Sequence, residues 1–483
     1  MSKLHYLPLL FVITSICLSS CEGNNSGPST TTTGDATFIL DPEEGGSQML
    51  ALEFANSWEV TESPSWCTVS PASGEAGQVE MTVSASSANE NLMEREGTFK
   101  IRLASSEEVE YWVVQRGTEG ISVLRQDAYA LDTGEDVTFR IEGNVPVTAE
   151  SISTDAEWLT VKSVETSDSV LLGDGRTNSE YYTGEVVLSV ENNTGAGQRS
   201  GAVTIDGQEV TVHQTAAFDG WDNTFYRRST IQPFTATWCG FCPAMGEAYK
   251  EAEKALPGRF VPINMHPLSS DGSLSWDGTD HFDKLYGIYE SYPASIINGI
   301  AKVSNQYVIA TTTKMMTLLA EEAVSDFPSQ TNIMAFSSIS EADRTVQVDA
   351  FVAMKDQKDY RITVLLLEDS IIASQLDGTG ILTDSEMENY VHEHIARAAL
   401  TDLDGDIISG SGERTVAHIS LESAIPQSVI SRKHLSIAIY VSYAGSPDKS
   451  LCDVSGITYL DTGYFIDNAV ALPANGSTEY SFE

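Results

Sequence analysis

One stretch of this sequence is written twice. Residues 35–117 and 118–216 carry the same landmarks in the same order. Trp66-Cys67-Thr68-Val69 returns as Trp158-Leu159-Thr160-Val161, and Gln78 to Val83 (QVEMTV) returns as Gly184 to Val190 (GEVVLSV). Arg95-Glu96-Gly97-Thr98-Phe99 returns as Arg199-Ser200-Gly201-Ala202-Val203, and Val114-Gln115 as His213-Gln214. Such self-similarity marks one structural unit used twice. Short alternating runs such as Glu80-Met81-Thr82-Val83 and Thr98 to Leu103 lie between Gly-, Asn- and Ser-rich turns. That pattern predicts strands of a small β-sandwich.

The W-x-T-V, R-x-G and closing V-x-Q features, present in both copies, resemble the BACON family of immunoglobulin-like domains. The resemblance implies two Ig-like β-sandwiches that bind carbohydrate or mucin, or that serve as spacers. Sugar capture needs an exposed aromatic platform. Trp66 and Trp158 recur at one place in both copies and are read as core packing. Trp112 alternates with Tyr111 and Val113 and has Thr211 as its counterpart, so it is the candidate for glycan binding. Cys67 stands where the second copy has Leu159, which predicts a buried thiol of low reactivity.

Behind the repeats, Trp238-Cys239-Gly240-Phe241-Cys242-Pro243 carries the most specific chemistry in the chain. Two cysteines at this spacing form a redox pair, and a helix opening beside them favours the Cys239 thiolate. Thr230 to Thr237 reads as a buried strand leading into the motif. Ala244 to Leu256 has a helical apolar face and stops at Pro257-Gly258. Arg259 to Met265 is a strand, His281 to Tyr289 a helix, and Ala294 to Ile297 a strand. Asn298-Gly299 turns into Ile300 to Val303, and Thr311 to Phe327 closes as a helix. This order resembles a thioredoxin fold, with Tyr292-Pro293 where thioredoxins keep a cis-proline. The resemblance implies that Cys239 is the exposed nucleophile and Cys242 the buried resolving thiol. It also implies that Trp238 shields the pair and that Pro293 holds the substrate chain beside it. Exchange would pass through a mixed disulfide on Cys239. One departure stands out: Pro233 occupies the place of the thioredoxin aspartate that moves protons, leaving His266 as a substitute. A stable disulfide in a scaffold domain is the other reading of the same residues.

The first twenty residues read as a leader, with Lys3 at its charged start and Leu7 to Leu18 as its apolar stretch. Leu18-Ser19-Ser20-Cys21 resembles a bacterial lipobox, which implies cleavage before Cys21, its lipidation and anchoring to a membrane. Residues 22–34 are a polar tether, and no later apolar run is long enough to span a bilayer. The chain has 69 Asp plus Glu against 27 Lys plus Arg. That surface repels phosphate backbones and excludes nucleic acid as a partner. Six cysteines, two of them in the leader and lipobox, are too few for a disulfide-stapled scaffold.

Residues 329–483 are strand-like throughout, with Thr345 to Met354, Tyr360 to Glu368, Arg414 to Leu421 and Leu435 to Tyr443 as the clearest strands. They predict a C-terminal antiparallel β-sandwich. Tyr390, His392 and His394 alternate onto one strand face but lack a third metal ligand. Asp402, Asp404 and Asp406 lack the frame of a calcium loop. No metal or other cofactor is expected. Cys452 is read as a buried lone thiol, with a bridge to Cys67 disfavoured. Residues 220–483, with W-C-x-x-C-P and the Y-x-H-x-H-x-x-R element of Tyr390 to Arg397, resemble a family of outer-membrane lipoproteins named for a twenty-eight-kilodalton member.

The sequence therefore predicts a multidomain α+β chain. Its parts are a leader (1–20), a tether (21–34), two Ig-like sandwiches (35–117 and 118–216), a thioredoxin-like α/β domain (220–328) and a C-terminal sandwich (329–483). Two functions compete. One is thiol–disulfide exchange on exported protein thiols or disulfides through Cys239 and Cys242. The other is non-catalytic adhesion or glycan binding at the envelope.

Overall fold

The computed structural model describes residues 36–167, 181–268, 272–289, 291–304, 308–340, 344–408, 413–445, 457–461 and 464–483. Cys21 with its leader, and Cys452, lie outside these residues. The chain is multidomain and mostly β, and it falls into two compact units. One is built on the first repeat; the other runs from the second repeat to the C-terminus.

The first repeat packs two sheets. Strands Thr37–Leu40, Glu108–Gln115, Arg95–Leu103, Trp58–Glu62 and Ser73–Gly74 form one, and Ser47–Phe54, Gly77–Ala85 and Cys67–Ser70 the other. Alternation sets the inner face: Phe99, Ile101 and Leu103 of one sheet meet Met81, Val83 and Ala85 of the other. The second repeat reuses the design. Its opening strand Asp127–Ala130 pairs parallel with its closing strand Gln208–Gln214, as Thr37–Leu40 does with Glu108–Gln115.

The repeated letters converge on one constellation. Arg95 stacks over Trp66 at 4.8 Å and donates from Nε to Gln115 Oε1 at 2.8 Å. Arg199 stacks over Trp158 at 4.3 Å and donates to Gln214 Oε1 at 2.7 Å. Each glutamine amide then donates to backbone carbonyls of its own copy, Pro42 and Leu131 among them. A Cβ on Gly97 would lie 2.6 Å from Pro64, and one on Gly201 3.1 Å from the Trp158 ring, so each glycine leaves room for the packing beside it. The two tryptophans are half-buried under an arginine, and Trp66 packs against the first core from its edge. The tryptophan that fills the first core is Trp58.

After the repeats, strands Phe260–Pro262, Ser229–Phe234, Ala294–Ile297, Ala301–Ser304 and Ile457–Tyr459 form one mixed sheet in that order. The first pair is parallel and the others antiparallel. Helices α1 (Cys242–Ala255) and α3 (Ile309–Asp326) contribute Met245, Ala252, Met315 and Met316 to a core that includes Ile231 and Val303 of the sheet. A second core holds Phe234 and Ile296 of the sheet with Phe282 and Tyr286 of α2 (Thr279–Tyr286). In the three-residue loop that follows Ile297, Asn298 and Gly299 both have positive φ, at 52° and 75°, as a type I′ turn requires.

Among the described strands of 329–483, Ile371–Ala373 pairs with Tyr390–His392 as a separate two-stranded sheet, and most of the rest build two antiparallel sheets. One runs Thr415–Ala424, Thr345–Met354, Thr331–Ser340, Gly476–Thr478; the other Ile395–Ala399, Tyr360–Glu368, Leu435–Ala444, Tyr464–Pro473. The second sheet is buried on both faces. Ile362, Val364 and Leu366 enter the core between these sheets, while Leu365 and Leu367 join Phe234 and Ile263. The α/β sheet and the C-terminal sheets therefore share a core. A parallel bridge from Asn264 to Ile395 ties their backbones as well.

Candidate functional site

The strand Ser229–Phe234 leads through a turn, in which Cys239 N–H donates to Ala236 O at 3.0 Å, into the cysteine pair. Cys239 and Cys242 form a disulfide with sulfurs 2.08 Å apart. The helix opens at Cys242, with Pro243 in its first turn, so Cys239 lies just ahead of the helix and not on it. Tyr292 packs against the pair, Trp238 lies 5.7 Å from the Tyr292 ring, and the Tyr292–Pro293 peptide is cis.

Cys239 is not the exposed nucleophile expected. It is 5% exposed, as is Cys242. The cover comes from the C-terminal region. Leu376 N–H donates to Thr237 O at 2.7 Å and Gly378 N–H to Gly240 O at 2.6 Å. Buried Gln375 donates from Nε2 to Ala236 O at 3.2 Å and to Cys239 O at 3.1 Å. Gly240 and Gly378 meet backbone to backbone: a Cβ on Gly240 would sit 3.1 Å from Gly378 N. Asp377 shapes this lid by accepting from Thr379 N–H at 2.8 Å and Leu382 N–H at 2.9 Å. Despite the opposing effect of burial, those bonds hold its carboxyl below the ordinary range. Thr383 and Glu386 then form a reciprocal capping box on the short helix Asp384–Glu388.

Beside the motif, with the lid residue Gln375 in its wall, lies a cavity of about 200 Å³. Its walls include Pro233, Cys242, Gly246, His266, Tyr390 and His392, and Cys239 is not among them. The His266 and His392 rings are both buried, 5.6 Å apart and nearly perpendicular. His394 does not continue the expected alternation. The strand ends at His392, His394 is left-handed at φ 54°, and its Nδ1 lies 2.9 Å from Asp369. That partner, against the effect of burial, keeps the Asp369 carboxyl below its usual range. Arg397 is buried in an ion pair with Glu368 at 3.0 Å and donates to Ser273 O at 2.6 Å. Its role there is to join elements. No group of three or more metal-ligating side chains occurs among the described residues. Asp402, Asp404 and Asp406 form a turn, with Asp406 accepting from Asp402 N–H at 3.1 Å and Asp404 3.0 Å from His281.

Trp112 is half-buried on the face of its strand opposite the buried Tyr111 and Val113. Cys67 is buried, and desolvation pushes its thiol up to about 11 against a smaller opposing effect of Arg95. Sequence reasoning missed the lid, Gln375 to Gly378, and the pairing of His266 with His392. Asp377-Gly378 was legible only as a turn.

Among the described residues no helix is long and apolar enough to cross a membrane. No curated protein matches the chain. Among solved structures, HBP35 of Porphyromonas gingivalis is similar over 54% of this chain and 82% of that one, at 16% identity and a TM-score of 0.41. A Bacteroides ovatus GH5 xyloglucanase in complex with a XXXG heptasaccharide is similar over 17% of each chain, at 23% identity and a TM-score of 0.16. The family models divide the chain between them. Residues 30–118 match the viral BACON domain, 148–215 the BACON putative binding domain, and 279–454 the outer membrane protein Omp28 family. The chain thus joins two segments that match BACON models to a region that matches the Omp28 model.

Proposed function

We propose that this chain is a lipid-anchored binding protein of the outer membrane, held at Cys21, whose front Ig-like sandwiches engage glycans. In this reading the thioredoxin-like domain is a closed scaffold that supports the C-terminal sandwich. One observation carries the scaffold role: the lid Gln375–Gly378 is bonded to both sides of Cys239. A polypeptide substrate approaching Cys239 needs the space those residues fill. The shared core behind the motif adds to this, because a domain that exchanges partners has no need to bury a sheet face against a neighbour. The match of residues 148–215 to a family described as a binding domain supports a ligand-facing role for the front of the chain. Trp112 is the residue proposed to stack on a sugar ring.

The test uses the full chain on a glycan array beside Trp112→Ala. Saturable binding that the variant loses supports the reading. The opposing result comes from cells expressing Cys242→Ser: exported proteins trapped as mixed disulfides on Cys239 would return exchange chemistry to first place and sink the scaffold.

A further inference from the structure

We propose that the Cys239–Cys242 disulfide exchanges with small monothiols through the cavity beside α1, with Cys242 as the sulfur attacked. The cavity wall holds Cys242 and the lid residue Gln375 but not Cys239. The lid covers Cys239 and excludes anything as large as a protein loop. The cavity, about 200 Å³, has Cys242 in its wall and admits a thiol of a few heavy atoms. The sulfur beside the cavity is therefore not the one the motif suggests. Buried His266 and His392 stand in the same wall. They are the groups placed to take the proton from an entering thiol, the task for which Pro233 is unfit. This inference is independent of what the front sandwiches bind.

The chemistry balances. An entering thiol gives its proton to an imidazole, and its sulfur bonds to Cys242 Sγ. The Cys239–Cys242 bond breaks, and its electron pair leaves on Cys239 as a thiolate. A second thiolate then attacks the sulfur of the bound thiol, releasing the small symmetrical disulfide and a Cys242 thiolate. Two protons passed through the imidazoles neutralise the two cysteine thiolates. Two monothiols are oxidised and one protein disulfide is reduced. The reverse sequence oxidises the pair with a small disulfide.

The reverse direction supplies the test. Cys239→Ser and Cys242→Ser versions of the full chain each leave one thiol of the pair, and 2-hydroxyethyl disulfide is the probe. Adducts are located by peptide mass mapping. The Cys242 thiol in Cys239→Ser should be labelled about tenfold or more faster than the Cys239 thiol in Cys242→Ser. Gly246→Leu, placed in each variant, fills the cavity: a Cβ at Gly246 already lies 3.4 Å from Tyr390 Oη. It should slow Cys242 labelling about tenfold and leave Cys239 labelling unchanged, which also reports that the fold is intact. Faster labelling at Cys239, equal rates, or no effect of Gly246→Leu on Cys242 would each overturn the proposal. So would labelling of either thiol only in denaturant.

Discussion

His418 supports a quantitative prediction. It lies on the strand Thr415–Ala424, with Nδ1 2.8 Å from Glu135 of the second repeat and Nε2 3.0 Å from Asp349. Its ring stacks on Phe351 at 4.3 Å, and Asp349 is also paired with Arg125. A neutral imidazole has one N–H, so donating to two carboxylates requires the charged form. Burial alone would lower the imidazole, yet the hydrogen bonds and charges of Asp349 and Glu135 outweigh it and raise His418 from 6.5 to about 9. At about 1.4 kcal/mol per pH unit, that rise is worth about 3 kcal/mol. Because the folded value is the higher one, the contribution is complete below pH 6.5. It declines as pH rises and is gone above about 9. Urea denaturation of the wild-type chain and His418→Gln at pH 6 and pH 10 measures this. Other groups titrate alike in both chains and cancel. The stability gap between them should shrink by about 3 kcal/mol across that range. A gap that does not change with pH would refute the charged, doubly paired imidazole.

Two more predictions follow from the repeats. Gly201→Ala places a Cβ 2.7 Å from Ala156 and 2.9 Å from Leu159, so thermal unfolding should report a loss of about 1–3 kcal/mol. Ser200→Ala beside it serves as the control, and an equal effect of both would mean that the glycine is not a packing device. Cys67, with its thiol raised to about 11, should be inert to an aromatic disulfide reagent at pH 8 in the folded chain and react on denaturation. The difference from Cys67→Ala isolates its signal, and fast native labelling would contradict the burial.

The parts of the fold that were legible had local causes. The repeat could be read because Arg95, Gln115, Trp66 and Gly97 depend on one another, as do Arg199, Gln214, Trp158 and Gly201. Losing one letter undoes the stack or the hydrogen bond of another. Repetition did not reveal depth, however. Recurrence suggested a core tryptophan; each ring is half-buried under its stacked arginine, and Trp66 packs against the first core from its edge. Trp58, which does fill a core, has no tryptophan echo: the corresponding strand in the second copy opens with Ile152. Another signal was present but went unread. Tyr360 to Glu368 (YRITVLLLE) is almost continuously apolar, and continuous patterning marks a strand covered on both faces. Its alternate residues enter two different cores, and that shared burial couples the α/β segment to the sandwich behind it.

The candidate site was legible in composition but not in exposure, for a physical reason. A C-x-x-C spacing determines that two sulfurs can meet; whether anything reaches them depends on what packs above. Here the cover arrives from Gln375, 136 residues along the chain from Cys239. The residues that make it possible look ordinary. Gly240 sits inside the motif, where the eye assigns it to redox chemistry, and Gly378 sits in a common Asp-Gly turn. Gly240 lacks a side chain where the Gly378 backbone approaches, and that absence lets the two loops close to hydrogen-bonding distance. The same closure separates the two sulfurs in kind, one beneath a bonded lid and one in a cavity wall. Gly240, one of the two residues between the cysteines, thus lets the Gln375–Gly378 segment pack over Cys239.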